Sequence, residues 1–228
     1  MRKRILVTTV AAAAVFMIFA ASCSAQGGMG GNFANWVFLK LTDLNEGLED
    51  AEYAPLPSTG MFMWGGYGMG DVKKWSIGGW GAGGGMTSTN DDNGKTSALS
   101  LGYGGMIFQY NVDISEKVRL GLGTGIGVGT VTLTTKQGII DDFEDVLAGA
   151  NSATVWRPYV VAQPYASLTF PVSPIVTARL SGGYAYFYGV TGWMDGFNWR
   201  QRFDGPLDTM GAPFVELGIS FGPPPSQF

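Results

Sequence analysis

Five glycines in strict alternation, Gly121, Gly123, Gly125, Gly127 and Gly129, constrain this chain more than any other feature. Between them stand Leu122, Thr124, Ile126 and Val128, with Leu120 before and Thr130 after. A period of two is that of a β-strand, in which successive side chains point to opposite faces. One face of this strand is apolar and β-branched, and the other carries no side chains. Glycine packs nothing in a strand and loses the most backbone entropy on folding. Five in phase therefore predict a bare face that another part of the protein approaches closely.

The N-terminus predicts export. Met1-Arg2-Lys3-Arg4 is followed by an uncharged run from Ile5 to Ala25, the plan of a secretory signal peptide with a small-residue end. Two cleavages compete: after Ala25, giving a signal 1–25, or before Cys23, giving a lipoprotein signal 1–22 with Ala20-Ala21-Ser22-Cys23 as its lipobox and Cys23 as a lipid anchor. An uncleaved membrane anchor is a third alternative, since the run is nearly long enough to cross a bilayer. Removal of 1–25 leaves 11 basic against 18 acidic residues, a net charge of −7. That balance argues against a nucleic-acid partner, which needs clustered Lys and Arg.

The chain has one cysteine and no histidine. No intrachain disulfide can form, and the commonest general base and metal ligand is missing. No catalytic set, metal site or cofactor is expected. Gly-x-Gly runs lie inside strands and lack the Gly-Lys-Ser/Thr of a phosphate loop. Asp91-Asp92-Asn93-Gly94 lacks the later glutamate of a calcium loop and reads as a solvated hairpin tip. The acidic stretch Asp141, Asp142, Glu144 and Asp145 reads as an ordinary surface loop.

Residues 26–60 read as a flexible glycine-rich lead (Gln26–Asn32), a segment Phe33–Leu41 that is either strand or helix start, and a short helix over Thr42–Ala51 capped by Thr42 or Asp43. Residues 61–222 read as antiparallel β structure, and 223–228 as a Pro-rich tail. The spacing predicts strands over Met61–Gly70, Trp75–Gly85, Ser97–Ile114, Val118–Thr134, Trp156–Val172, Ile175–Gly189 and Pro213–Phe221, with Phe33–Leu41 as an eighth if it pairs with them. Short turns at 71–74, 115–117 and 173–174 alternate with long loops at 86–95, 135–155 and 190–211, the asymmetry of an up-and-down membrane barrel. Residues 140–147 could form a surface helix.

Ala178, Leu180, Tyr184, Tyr186 and Tyr188 share one face of their strand, and Thr177, Arg179, Ser181 and Phe187 the other. Val215, Leu217, Ile219 and Phe221 oppose Glu216, Gly218 and Ser220. Lipid outside and a small or polar interior produce this pattern; a soluble two-sheet sandwich with its apolar face inward also does. The second faces are mostly Gly, Ser and Thr rather than Lys and Glu, which favours an antiparallel up-and-down barrel, or barrel-like sheet, of about eight strands with a short N-terminal helix.

The signal peptide, the Gly/aromatic strands, the turn-and-loop alternation and the terminal Phe228 together resemble small bacterial outer-membrane β-barrel proteins over residues 61–228. Glu216-Leu217-Gly218-Ile219-Ser220-Phe221 is similar to the first part of that class's final-strand assembly signal, and Gly222-Pro223 departs from it. Gly65-Gly66-Tyr67-Gly68, Gly78-Gly79-Trp80-Gly81, Gly102-Tyr103-Gly104-Gly105 and Gly182-Gly183-Tyr184 also resemble a glycine-rich family of exported proteins. The resemblance implies membrane lipid as partner and a bacterial outer-membrane or envelope location, with a structural or narrow-pore role. The alternative is a soluble exported β-domain that binds a protein or glycan through the 190–211 loop, where Trp193, Trp199, Arg200, Arg202 and Asp204 combine aromatic and charged groups.

Overall fold

Each alternating run pairs along both of its edges. The computed structural model describes residues 28–115, 117–137, 152–196, 198 and 200–222. The expected signal and Cys23, the 140–147 segment, Trp199 and the 223–228 tail lie outside the described residues. The elements in chain order are β1 (Gly28–Val37), α1 (Thr42–Asp50), β2 (Met61–Val72), β3 (Trp75–Thr89), β4 (Thr96–Ser115), β5 (Val118–Lys136), β6 (Ser152–Ser173), β7 (Val176–Gly189), β8 (Trp193–Asp195), β9 (Arg202–Phe203) and β10 (Thr209–Phe221). Strands β1 to β7 pair antiparallel with their chain neighbours, β7 pairs with β10, and β10 returns to β1. Eight strands thus close an up-and-down antiparallel barrel. The short pair β8–β9 extends from the end of β6 as a flap.

Several boundaries differ from the sequence expectation, each for a local reason. Gly28–Asn32 is not a flexible lead: it is the first half of β1, with backbone partners in β2 on one side and, from Gly30 on, in β10 on the other. The barrel therefore begins at 28 rather than 61. The helix begins where expected, but Leu41 is its N-cap and no side chain caps it. Loop 190–211 is shorter than its polar composition suggests, since β8 and β9 lie within it and β10 starts at Thr209.

The β2–β3, β4–β5 and β6–β7 junctions lie at one end of the barrel, together with Gly28 and Gly222. The long connections, including α1, lie at the other. Outward positions are apolar: Leu122, Ile126 and Val128 on β5, Leu180 and Tyr186 on β7, Leu217 and Ile219 on β10 are all exposed. On β5 this face runs from Val118 to Val128, about 33 Å along a strand. With strands tilted by about 40° it covers roughly 25 Å of height, the thickness of the apolar band on membrane barrels. Trp36, Phe62, Trp64, Tyr184, Tyr186 and Tyr188 project outward toward the long-loop end, and Trp75, Tyr110 and Phe221 toward the short-turn end. The belts and the band are those of a barrel built for lipid contact.

The glycine ladder faces inward, where each missing Cβ is space that something else occupies. Side chains of Gln109 and Ser167 meet Gly121, Tyr165 meets Gly123, Trp80 meets Gly125, and Tyr103 meets Gly129. These come from β3, β4 and β6, so the ladder lines the barrel interior. At Gly127 the neighbour is backbone: an added Cβ would run into the Gly104 carbonyl. Its partner Gly105 is in the same position against Ile126 and Gly127. A small closed sheet must coil sharply, and the paired glycines form that crease. Gly127→Ala is expected to lower stability by about 1–3 kcal/mol, read as the urea midpoint in lipid vesicles. Val128→Ala, one residue away on the lipid face, leaves that midpoint nearly unchanged.

Candidate functional site

The barrel interior divides in two along its axis. Toward the long loops it is apolar: Val37, Met61, Met63, Leu99, Leu101, Val131, Val161, Phe187 and Ala212 are buried in one cluster. Helix α1 extends that cluster. Its Leu44 and Leu48 are buried with Leu39, Leu41, Tyr53 and Leu56. Asn45, on the same helix, bonds both the amide and the carbonyl of Leu56, folding the exit strand of the loop back on the helix.

The β3–β4 hairpin tip, expected to be merely solvated, clamps this helix. Asn90 and Asn93 donate to the Glu52 carbonyl, each at 3.0 Å. Lys95 donates to the Ala51 carbonyl at 2.9 Å and to the Glu52 carboxylate at 2.8 Å, and lies over the Tyr53 ring. Glu52 takes a left-handed backbone, φ 64°, that aims its carbonyl at the hairpin. Loop 190–208 is held down from the opposite wall. Tyr159 donates to the Leu207 carbonyl at 2.7 Å, and Arg157 pairs with Asp208 at 2.6 Å.

Toward the short turns the interior is polar and continuous. Arg119 pairs with Asp113 at 2.7 Å and with Asp71 at 3.5 Å. Ser76 donates to Asp71 and accepts from Asn111, whose Oδ1 accepts from Gln109. The Gln109 Oε1 is the hub: Tyr165 at 3.0 Å, Arg179 at 3.2 Å and Ser167 at 3.3 Å all donate to it. The Arg179 guanidinium lies between the rings of Tyr67 and Tyr165, 4.9 and 5.2 Å from their centres. Beside Arg179 on β7, Ser181 donates to its cross-strand partner Glu216 on β10 at 3.3 Å. Higher still, Asn35 donates to the Tyr103 hydroxyl at 3.0 Å, and the polar chain stops there. Two opposite charges buried in this way need each other, because an isolated one in a low-dielectric interior is costly.

The expected binding residues of loop 190–211 do not form one surface. Trp193 is buried, and its Nε1 donates to the Pro206 carbonyl at 2.8 Å. Arg200, Arg202 and Asp204 are exposed. Sequence reasoning misses Gln109, Gln163, Arg179 and Glu216 as a site. Their signal is present: each is a long polar residue at an inward-facing position of its strand, and on β7 and β10 the other inward residues are small or apolar. Among the described residues no group of three His, Cys, Asp or Glu could hold a metal.

No protein-family model matches the chain, and no relative is found among curated proteins. Solved structures do match. A major outer membrane protein from Thermus thermophilus aligns over 86% of this chain and 99% of its own at 9% identity, with a TM-score of 0.51. The attachment invasion locus protein of Yersinia pestis, in complex with the heparin analogue sucrose octasulfate, aligns over 86% and 99% at 13% identity with a TM-score of 0.48. Neisserial surface protein A aligns over 86% and 96% at 10% identity with a TM-score of 0.43. At such identities the likeness is one of fold, and the Thermus protein carries it: the chain has an outer-membrane-type β-barrel fold.

Two outcomes follow from this interior. Arg179→Met leaves Glu216 buried without a counter-charge and is expected to cost about 3–5 kcal/mol; adding Glu216→Gln recovers most of that in the same urea titration. At the mouth, the Lys95 hydrogen bond and charge hold the Glu52 carboxyl below its ordinary range. A depressed carboxyl contributes stability above its unfolded pKa and loses it as pH falls through the folded one. Protease protection of the 51–60 segment should therefore weaken below about pH 4, and Lys95→Met should remove that pH dependence.

Proposed function

We propose that this protein is an exported barrel of the bacterial outer membrane with a structural role, closed to ions rather than a narrow pore. The observation that carries this reading is the apolar layer across the long-loop half of the lumen, completed by Leu44 and Leu48 of the clamped α1. An eight-stranded barrel has room only for its own side chains, and a dry apolar constriction gives an ion nothing to replace its hydration. The outward band and aromatic belts support membrane residence, and the short-turn end, where both ends of the described chain lie, fits the periplasmic side.

Fractionation and conductance test the two halves of this reading separately. The protein should remain with outer-membrane fractions and need detergent for extraction; recovery from the aqueous periplasm overturns the location. Purified protein in planar bilayers should give no steady current, and a stable single-channel conductance overturns the closed state.

A second role is supported at the flap, where Arg202, Phe203 and Asp204 stand exposed side by side on the long-loop end. A protein or glycan at the cell surface would meet exposed aromatic and charged groups there. Arg202→Ala with Phe203→Ala should abolish that binding without shifting the urea midpoint.

A further inference from the structure

The middle of the lumen contains a cavity of about 20 Å³ at the boundary between its polar and apolar halves. Asn35, Tyr67, Gln163, Arg179 and Glu216 line it, with the Trp80 ring on one wall. Four buried polar atoms among these residues have no hydrogen-bond partner: the Tyr67 hydroxyl, the Arg179 Nε–H, the Asn35 Oδ1 and the Gln163 Oε1. Each such group, left dry, pays the full cost of its lost hydration. Native interiors leave few, and here the residues that carry four of them line one void.

We propose that this cavity is a built site for one ordered water molecule, and that the water links Arg179 to Asn35 and Gln163. The volume admits one water and nothing larger. The chemistry is mixed: Arg179 can only donate, the two amide oxygens can only accept, and the Tyr67 hydroxyl can do either. Water matches that set, with two lone pairs for the donors and two hydrogens for the acceptors. A halide would face two carbonyl oxygens and the Glu216 carboxylate, and a metal cation would face the guanidinium.

Arg179 and Glu216 make no direct ion pair, since the guanidinium is occupied by Gln109 and two tyrosine rings while Ser181 holds the carboxylate. A water that accepts from the Arg179 Nε–H and donates to the Asn35 Oδ1 joins the Gln109–Arg179 network to the Asn35–Tyr103 pair. The chain of hydrogen bonds then runs unbroken from Asp113 and Arg119 at the short-turn rim to Asn35 and Tyr103 at the barrel centre. The inference concerns the interior alone and stands apart from where the protein resides.

A crystal structure of the full mature chain that resolves ordered solvent tests it directly. One water peak is expected within hydrogen-bonding distance of at least three of the four atoms. An empty cavity overturns the proposal, as does a peak that gains an anomalous bromide signal when chloride is replaced by bromide. Tyr67→Phe gives an independent test because it deletes one hydroxyl and preserves the ring. If the hydroxyl bonds a water, the variant lowers the folding equilibrium constant about fivefold. If the cavity is dry, removal of an unsatisfied hydroxyl leaves stability unchanged or raises it, and the proposal fails.

Discussion

Closure of the ring is the constraint on which the rest of this structure depends. A β-sheet in a hydrocarbon environment cannot leave an edge unpaired, because each free N–H or C=O costs several kcal/mol without water. Closing with only eight strands bends the sheet hard and brings opposite walls within side-chain reach. The inward face must then be thinned. Gly127 and Gly105 give up their side chains to a backbone crease, while Gly121, Gly123 and Gly125 make way for Gln109, Tyr165 and Trp80. The ladder and the large inward residues are two sides of one volume balance.

Within that envelope the two halves of the lumen solve different problems. The apolar half is held by burial, and it needs a cover because its outer end would otherwise face water. Helix α1 supplies two leucines for that purpose, yet nine residues are too few for a helix stable by itself. Its position therefore depends on tertiary bonds, from Asn45 within its own loop and from Asn90, Asn93 and Lys95 across the mouth. The polar half is held by connectivity, in which nearly every buried group serves a neighbour and Gln109 joins three of them.

Much of this could be read from the residues. Periodicity gives the long strands and their outward faces, as at Leu180, Tyr184 and Tyr186, because lipid contact and strand geometry share a period of two. The turn-and-loop alternation gives the up-and-down order. Periodicity does not reveal what lies opposite what. Nothing local tells that Gly28–Asn32 is a strand, since its partners lie in β2 and, from Gly30 on, in β10 nearly the whole chain away. The same holds for the hairpin tip: Asn90, Asn93 and Lys95 look like ordinary turn residues until Glu52 is placed above them. Trp193 looks like a binding aromatic and is instead a core residue, because its indole N–H finds a carbonyl in the same loop. The Arg179–Glu216–Gln109 cluster draws on three strands and has no linear motif.

The seam between β1 and β10 runs only from Gly30 opposite Phe221 to Val37 opposite Phe214, far less than the span shared by β5 and β6. It is also the pairing with the greatest separation along the chain, and such contacts form late because their loop entropy is largest. A nascent barrel is thus a curved curtain with two raw margins until its last strand arrives. Those margins cannot rest in hydrocarbon, so insertion and closure have to proceed together. A polypeptide ending before Thr209 has no partner for Phe33 to Val37 on that side, and no partly built form of this wall is at home in a bilayer.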